Sequence, residues 1–165
     1  MMIRDELRRA LVAAILACVA VCSPVDAQAL LPSASDLAQV SEQAHRKRVP
    51  VLIAFTQAGC PYCARLKESY LIPLGRNPAW QQKVIMREVD VDSAAPLRDF
   101  AGRATTGRDF AREHHIGLVP TLILFDHAGK PLAEPLVGLT SEDFYGFYLE
   151  RLIEDGAKAV QTRNE

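Results

Sequence analysis

The chain has 165 residues, 49% hydrophobic and 24% charged, enough for one compact domain with a real core and too apolar for global disorder. Its formal net charge of −1 leaves no electrostatic footprint for nucleic acid or an acidic substrate.

The first thirty residues differ in kind from the rest. "MMIRDELRRA" carries Arg4, Arg8 and Arg9, diluted by Asp5 and Glu6, and Leu11 to Val21 is an uncharged run of eleven. Ser23-Pro24 then makes a turn, and Ala27-Gln28-Ala29 supplies the small residues of a cleavage site. This is the layout of a secretory signal over residues 1–29, expected to be cut after Ala29, with Ala27 as the second choice. The run is too short to serve comfortably as a permanent membrane span. A lipid-modified Cys18 is the weaker alternative, because Leu16 fits that motif poorly and the apolar run continues past the cysteine; an uncleaved anchor is another. Removing the leader takes Cys18 and Cys22 with it, leaving Cys60 and Cys63 in a single domain over residues 30–165 with its core at about 36–155. One close pair is not the cysteine framework of a disulfide-stapled scaffold.

From Asp36 onward Leu37, Val40 and Ala44 keep helical spacing, with Ser35 as expected N-cap and Arg46-Lys47-Arg48 suiting the negative helix end before Pro50. "VLIAFT", Val51 to Thr56, is a continuous apolar run, the pattern of a buried central strand. A helix is expected to begin at the cysteines, where Pro61 is tolerated because the first turn has no backbone partner for its N–H. Leu66, Tyr70 and Leu71 mark its inner face, Pro73 is expected to break or kink it, and Asn77-Pro78 opens a short capped turn. Val84 to Asp92 reads as a second strand. "SAAPLRDFAGRATTG" reads as a long polar connection. "RDFAREHHI" is a short helix closed by Gly117, and "LVPTLILFD" a strong strand interrupted near its start by Pro120. "DHAGK" predicts a hairpin turn with Gly129 at positive φ, and the two prolines of "PLAEPLVG" demote the return strand to an edge. A last helix opens at Thr140 with Asp143 in a capping-box-like spacing, is expected to face Phe144, Phe147, Tyr148 and Leu152 inward, and frays after Asp155. The order implies a small mixed α/β sheet with helices on both faces.

The C-x-x-C at Cys60 and Cys63 admits four chemistries. Structural zinc needs four ligands, and the mature chain has no second pair; His114 and His115 are adjacent, diverge on a helix, and read as surface histidines. Haem attachment needs histidine after the second cysteine, where Ala64 stands. A purely structural disulfide over so short a loop constrains little chain entropy. A catalytic dithiol remains, and it has positive support. Cys60 at a helix N-terminus feels unpaired N–H groups and the positive end of the dipole, which favour the thiolate. Cys63, one turn inside, is placed to attack the mixed disulfide that Cys60 forms.

Cys60-Pro61-Tyr62-Cys63 after "VLIAFTQAG", Val119-Pro120-Thr121 before "LILFDHAGK", and Gly138 before the last helix together resemble the thioredoxin superfamily over about Asp36 to Asp155. Within it the chain is most similar to exported, periplasmic thioredoxin-related proteins, including those accompanying bacterial sulfur-oxidation genes. The resemblance implies the thioredoxin-like fold, attack by Cys60, resolution by Cys63, and a substrate rest formed by cis-Pro120 with Val119 and Thr121. Pro61 and Tyr62 are expected to face the substrate, Tyr62 as a ring rather than a proton donor. The pair Pro61-Tyr62 is that of glutaredoxins, without a glutathione-binding constellation around it. The buried aspartate with which thioredoxins deprotonate the resolving cysteine would fall at Ala54, which leaves the proton-transfer route open to a water or a nearby group such as Glu68 or Lys67. Both of these side chains are expected on the solvated helix face.

About thirty residues separate the second strand from Val119, too few for the inserted helical domain of periplasmic oxidases, and too few residues precede the first helix for the dimerisation domain of isomerases. The expected function is therefore a monomeric, exported reductase of protein disulfides. It needs no cofactor beyond the Cys60–Cys63 redox disulfide and no metal, and it is recharged by a membrane thiol transporter. Isomerase or oxidase activity, and a non-catalytic binding or chaperone module, are the alternatives.

Overall fold

A computed structural model describes residues 31–139 and 142–162. The leader, with its cleavage site and Cys18 and Cys22, lies outside them, as does Thr140 of the expected capping box.

Helix α1 (Leu37–Lys47) buries Leu37, Val40 and Ala44, as its spacing requires. Its N-cap is Asp36 rather than Ser35: the Asp36 carboxylate accepts from the Gln39 N–H at 2.9 Å. The Ser35 carbonyl is taken up by the Arg98 N–H at 3.0 Å. Arg48 at φ 55 closes the helix, and the last turn carries the basic residues His45, Arg46 and Lys47 at its negative end.

Strand β1 (Val51–Thr56) is buried along all six residues because the sheet is covered on both sides. It pairs in parallel with β2 (Ile85–Asp90) and antiparallel with β5 (Thr121–Phe125), and the two-residue β6 (Leu136–Val137) forms the edge beyond β5. The odd residues of β1, Val51, Ile53 and Phe55, enter one core with α1. The even residues Leu52 and Ala54 enter the other, with Leu66, Leu71, Leu149 and Ile153. The free edge of β2 is partly covered by the segment before α1: the Ala34 N–H donates to Glu88 O at 2.7 Å and the Glu88 N–H to Pro32 O at 2.9 Å.

Pro73 does not break the helix that starts at the cysteines. Helix α2 (Pro61–Leu66) runs into a π-helical turn, Lys67–Leu71, and on into α3 (Ile72–Arg76). The wider turn carries the chain past a residue that has no N–H to give. Asn77 caps the short α4 (Pro78–Gln81), as expected.

The polar connection after β2 is not featureless. It holds an antiparallel pair, β3 (Pro96–Arg98) and β4 (Ala104–Thr106), pinned by the buried Asp99. Asp99 Oδ1 accepts from the N–H groups of Ala101 and Arg103, each at 2.9 Å, while Arg103 Nε donates to Oδ2 at 2.6 Å. Helix α5 (Gly107–Glu113) follows, capped by Thr106. It is closed not by Gly117 but by His115 in the left-handed region at φ 56. His114 is not a surface residue: it is half-buried against the rings of Phe110, at 4.5 Å, and Phe125, at 5.0 Å.

After β5 the turn has Gly129 at φ 78, as expected. The final helix α6 (Glu142–Thr162) corrects two expectations. It continues to Thr162 instead of fraying after Asp155. Its inner face is Tyr145, Leu149, Ile153, Ala157 and Val160, whereas Phe144, Phe147 and Tyr148 are more than half exposed and Leu152 only partly buried. The stripe is displaced by one residue.

Candidate active site

The left-handed Gly59, at φ 74, turns the chain out of the β1 loop and into α2. Cys60 is the N-cap of that helix, in extended conformation, with Pro61 at the first helical position. The Cys63 N–H donates to Cys60 Sγ at 3.1 Å, and the Ala64 N–H to the Cys60 carbonyl at 3.1 Å. A sulfur in this place receives donor groups that stabilise negative charge. Cys60 and Cys63 are joined as a disulfide with Cα atoms 5.2 Å apart. The two differ in access: Cys60 is partly exposed, while Cys63 is 1% exposed. An incoming group can therefore reach only one of them from solvent.

The Val119–Pro120 peptide bond is cis. Phe55 pairs with Thr121, so Pro120 comes level with the end of β1, the sheet end from which the chain enters α2. The loop is held from both sides: Thr121 Oγ1 donates to the Leu118 carbonyl at 2.7 Å, and the Gly138 N–H to the Pro120 carbonyl at 2.7 Å. Gly138 has φ 74, a conformation open to glycine at low cost. Pro120 and Thr121 are buried and Val119 is half-exposed. Among the described residues, the N–H and C=O of Val119 take no partner. Tyr62 is 60% exposed, and the other large exposed apolar side chains near this sheet end are Leu118 at 55% and Val137 at 52%.

Glu68 is exposed, as expected, but Lys67 is not on the solvated face. Its Nζ reaches down to Glu88 Oε1 at 2.8 Å, and Thr56 Oγ1 donates to the same oxygen at 2.6 Å. Sequence reading missed this group. Its only signal was Glu88 at even spacing from Met86, on what becomes the helix-covered face of β2. Among the described residues, no three His, Cys, Asp or Glu side chains cluster in a way that could hold a metal ion.

The family model for the thioredoxin-like domain matches residues 37–152. No curated protein matches the chain in sequence. Among solved structures it is similar to oxidised mitochondrial thioredoxin 3 of Saccharomyces cerevisiae, with 19% identity and a TM-score of 0.52, over 76% of this chain and 94% of that one. It is similar to oxidised thioredoxin O2 of Arabidopsis thaliana, with 18% identity and a TM-score of 0.51, over 77% and 94%. Thioredoxin of Fasciola hepatica gives 14% identity and a TM-score of 0.53, over 76% and 99%. At these identities the likeness shows the fold.

Proposed function

This chain belongs to the thioredoxin-like domain family, and from that premise we propose that it is an exported reductase of protein disulfides acting through the Cys60/Cys63 dithiol. The observation that carries the reading is the asymmetry of the pair. One sulfur caps a helix and meets solvent; the other is buried one turn inside.

In the forward reaction Cys60 thiolate attacks a client disulfide, forming a mixed disulfide and expelling one client thiolate. Cys63 then attacks Cys60 Sγ, closing the intramolecular disulfide and expelling the second. Two electrons pass from dithiol to client. The unpartnered N–H and C=O of Val119, presented by cis-Pro120 and Thr121, suit pairing with an extended client segment. Pro61 and Tyr62 border the same place.

The direction rests on architecture. The segment between β2 and Val119 is filled by the β3–β4 pair and α5, with no inserted helical domain of the oxidase kind. The leader over residues 1–29, cut after Ala29, would deliver residues 30–165 as a single periplasmic domain, a monomer in this reading. There its dithiol must be recharged by a membrane thiol transporter. The similarity to thioredoxins that accompany sulfur-oxidation genes stays within this reading.

Loss of Cys60 should abolish reduction of a protein disulfide, and Cys63→Ser should retain attack and accumulate mixed disulfides. The reduction potential, measured against a glutathione couple, should lie near the thioredoxin value of about −270 mV. Undiminished turnover by Cys60→Ser would end the catalytic reading. A potential near about −120 mV would reverse its direction.

A further inference from the structure

We propose that Glu88 is the proton acceptor for Cys63, held in place by Lys67 and Thr56, when the dithiol resolves a mixed disulfide. This rests on the catalytic reading above and extends it to residues of the sheet.

A thiol that is 1% exposed meets little water to take its proton near neutral pH, yet it must lose that proton to attack. The register pairs Glu88 on β2 with Ala54 on β1, on the sheet face that enters the core beneath α2. Ala54 offers only a methyl group, so the Glu88 side chain has room there. Thr56, two residues along β1 on the same face and only 2% exposed, donates to Glu88 Oε1. Lys67, the residue that caps the end of α2, lies four residues after Cys63 and so one turn further along the same side. It too bonds Oε1.

Both donors thus fall on one oxygen. Oε2 takes no partner among the described residues and is the atom that can receive a proton. The Glu88 side chain is 16% exposed and that of Lys67 32%, so their attraction is only partly screened and holds the carboxylate in this place. The two carboxylates that follow along the chain are engaged elsewhere. Asp90, level with Thr56, accepts from the Asp92 N–H, and Asp92 is held by Gln57 Nε2 at 2.7 Å.

The step balances without a further reactant. The Cys63 S–H proton passes to Glu88 Oε2, and the Cys63 sulfur forms a bond to Cys60 Sγ. The bond between Cys60 and the client sulfur breaks, and the client leaves as thiolate. Glu88 then returns the proton to that thiolate or to solvent.

The test follows decay of the mixed disulfide in a single turnover with a protein disulfide, acid-quenched, from pH 6 to 9. In Glu88→Gln the decay should be on the order of a hundredfold slower at pH 7. The gap should close as pH approaches the ordinary thiol range of about 8.5, where solvent takes the proton unaided. Glu88→Asp should recover part of the rate. If Glu88→Gln does not fold, Glu88→Asp carries the test, with slower decay at pH 7 and the same convergence at high pH. Alkylation of Cys60 in the Cys63→Ser background should not change with Glu88→Gln. Decay unchanged or faster at pH 7 would overturn the proposal, because a carboxylate acting only as a fixed charge would hold the thiolate back. A slowing equal at every pH would reduce Glu88 to a structural part and overturn it too. Should wild-type protein form no mixed disulfide at all, the catalytic reading falls and this proposal with it.

Discussion

His114 sits where three phenyl rings converge, those of Phe55, Phe110 and Phe125. Desolvation there lowers its pKa against the opposing pull of Glu113, with His115 adding to the lowering. The fold therefore favours the neutral ring. Above the unfolded value of about 6.5 both states are neutral and the contribution is complete. As pH falls through 6.5 the unfolded chain takes up a proton that the native chain refuses. Stability then drops by up to about 1.4 kcal/mol per pH unit until the native ring also protonates. In His114→Phe the difference in urea midpoint between pH 8 and pH 5 should shrink; an unchanged difference would mean that His114 does not titrate against the fold. Adjacency in sequence suggested two surface histidines, and for His115, which is exposed, that was legible. What sequence could not show is that α5 ends at Glu113 with His114 as its C-cap, its ring turned back over β1 and β5. The cysteines were legible for the opposite reason, since their chemistry depends on a strand-to-helix corner that Gly59, Pro61 and the run before them announce locally. Glu88 was not, because its meaning comes from a cross-strand neighbour thirty-four residues earlier in the chain.

Helix α6 shows how an element can be identified correctly and oriented wrongly. Phe144, Phe147, Tyr148 and Leu152 fit a 3.6-residue period, and so do Tyr145, Leu149 and Ile153. Over the first three turns the aromatic stripe looks the stronger. Length decides between them. Ala157 and Val160 continue only the second stripe, and they count only if the helix runs past Asp155, as it does. A small residue reinforces that choice: Gly156 lies so close to the Leu124 side chain that any side chain there would force Leu124 to shift, whereas Gly146 leaves room for a methyl group against the Tyr70 ring. The β3–β4 pair escaped notice because three-residue strands of mixed polarity carry no periodicity. Its order comes from one buried carboxylate, Asp99, whose hydrogen bonds outweigh its desolvation and hold its pKa below the usual carboxylate value. The phase of α6 has a direct stability consequence. Leu149 is 0% exposed, so Leu149→Ala should cost about 3 to 5 kcal/mol in chemical denaturation. Phe147 is 56% exposed and touches chiefly Tyr148 and Arg151, so Phe147→Ala should cost less than about 1 kcal/mol. Equal costs would refute the orientation.

At the scale of the molecule, one strand organises both stability and chemistry. β1 feeds a core on each face, and its C-terminal end delivers the chain to Cys60 while lying level with cis-Pro120. The disulfide is thus mounted on the most buried element of the fold, with little freedom to move relative to the Val119 backbone. Around it the surface is unusual for a small domain, because Tyr62, Leu118 and Val137 expose large apolar side chains near one sheet end. Three exposed apolar residues scattered over a surface would need no explanation, but gathered beside a reactive sulfur they suit a client polypeptide better than a small thiol. This separates two kinds of substrate. Among the described residues the hydrogen bond of Leu118 is made by its carbonyl, which accepts from Thr121 Oγ1, and its side chain is 55% exposed, so Leu118→Asp should leave the fold and the disulfide intact. Against a protein disulfide kcat/KM should fall about tenfold, close to 1.4 kcal/mol of lost transition-state binding, because a charge is buried against the client. Against a small aromatic disulfide, too short to reach Leu118 while its sulfur meets Cys60, the rate should be unchanged. Equal losses on both would place the defect in the sulfur chemistry, whereas no loss on either would leave client recognition to the Val119 backbone alone.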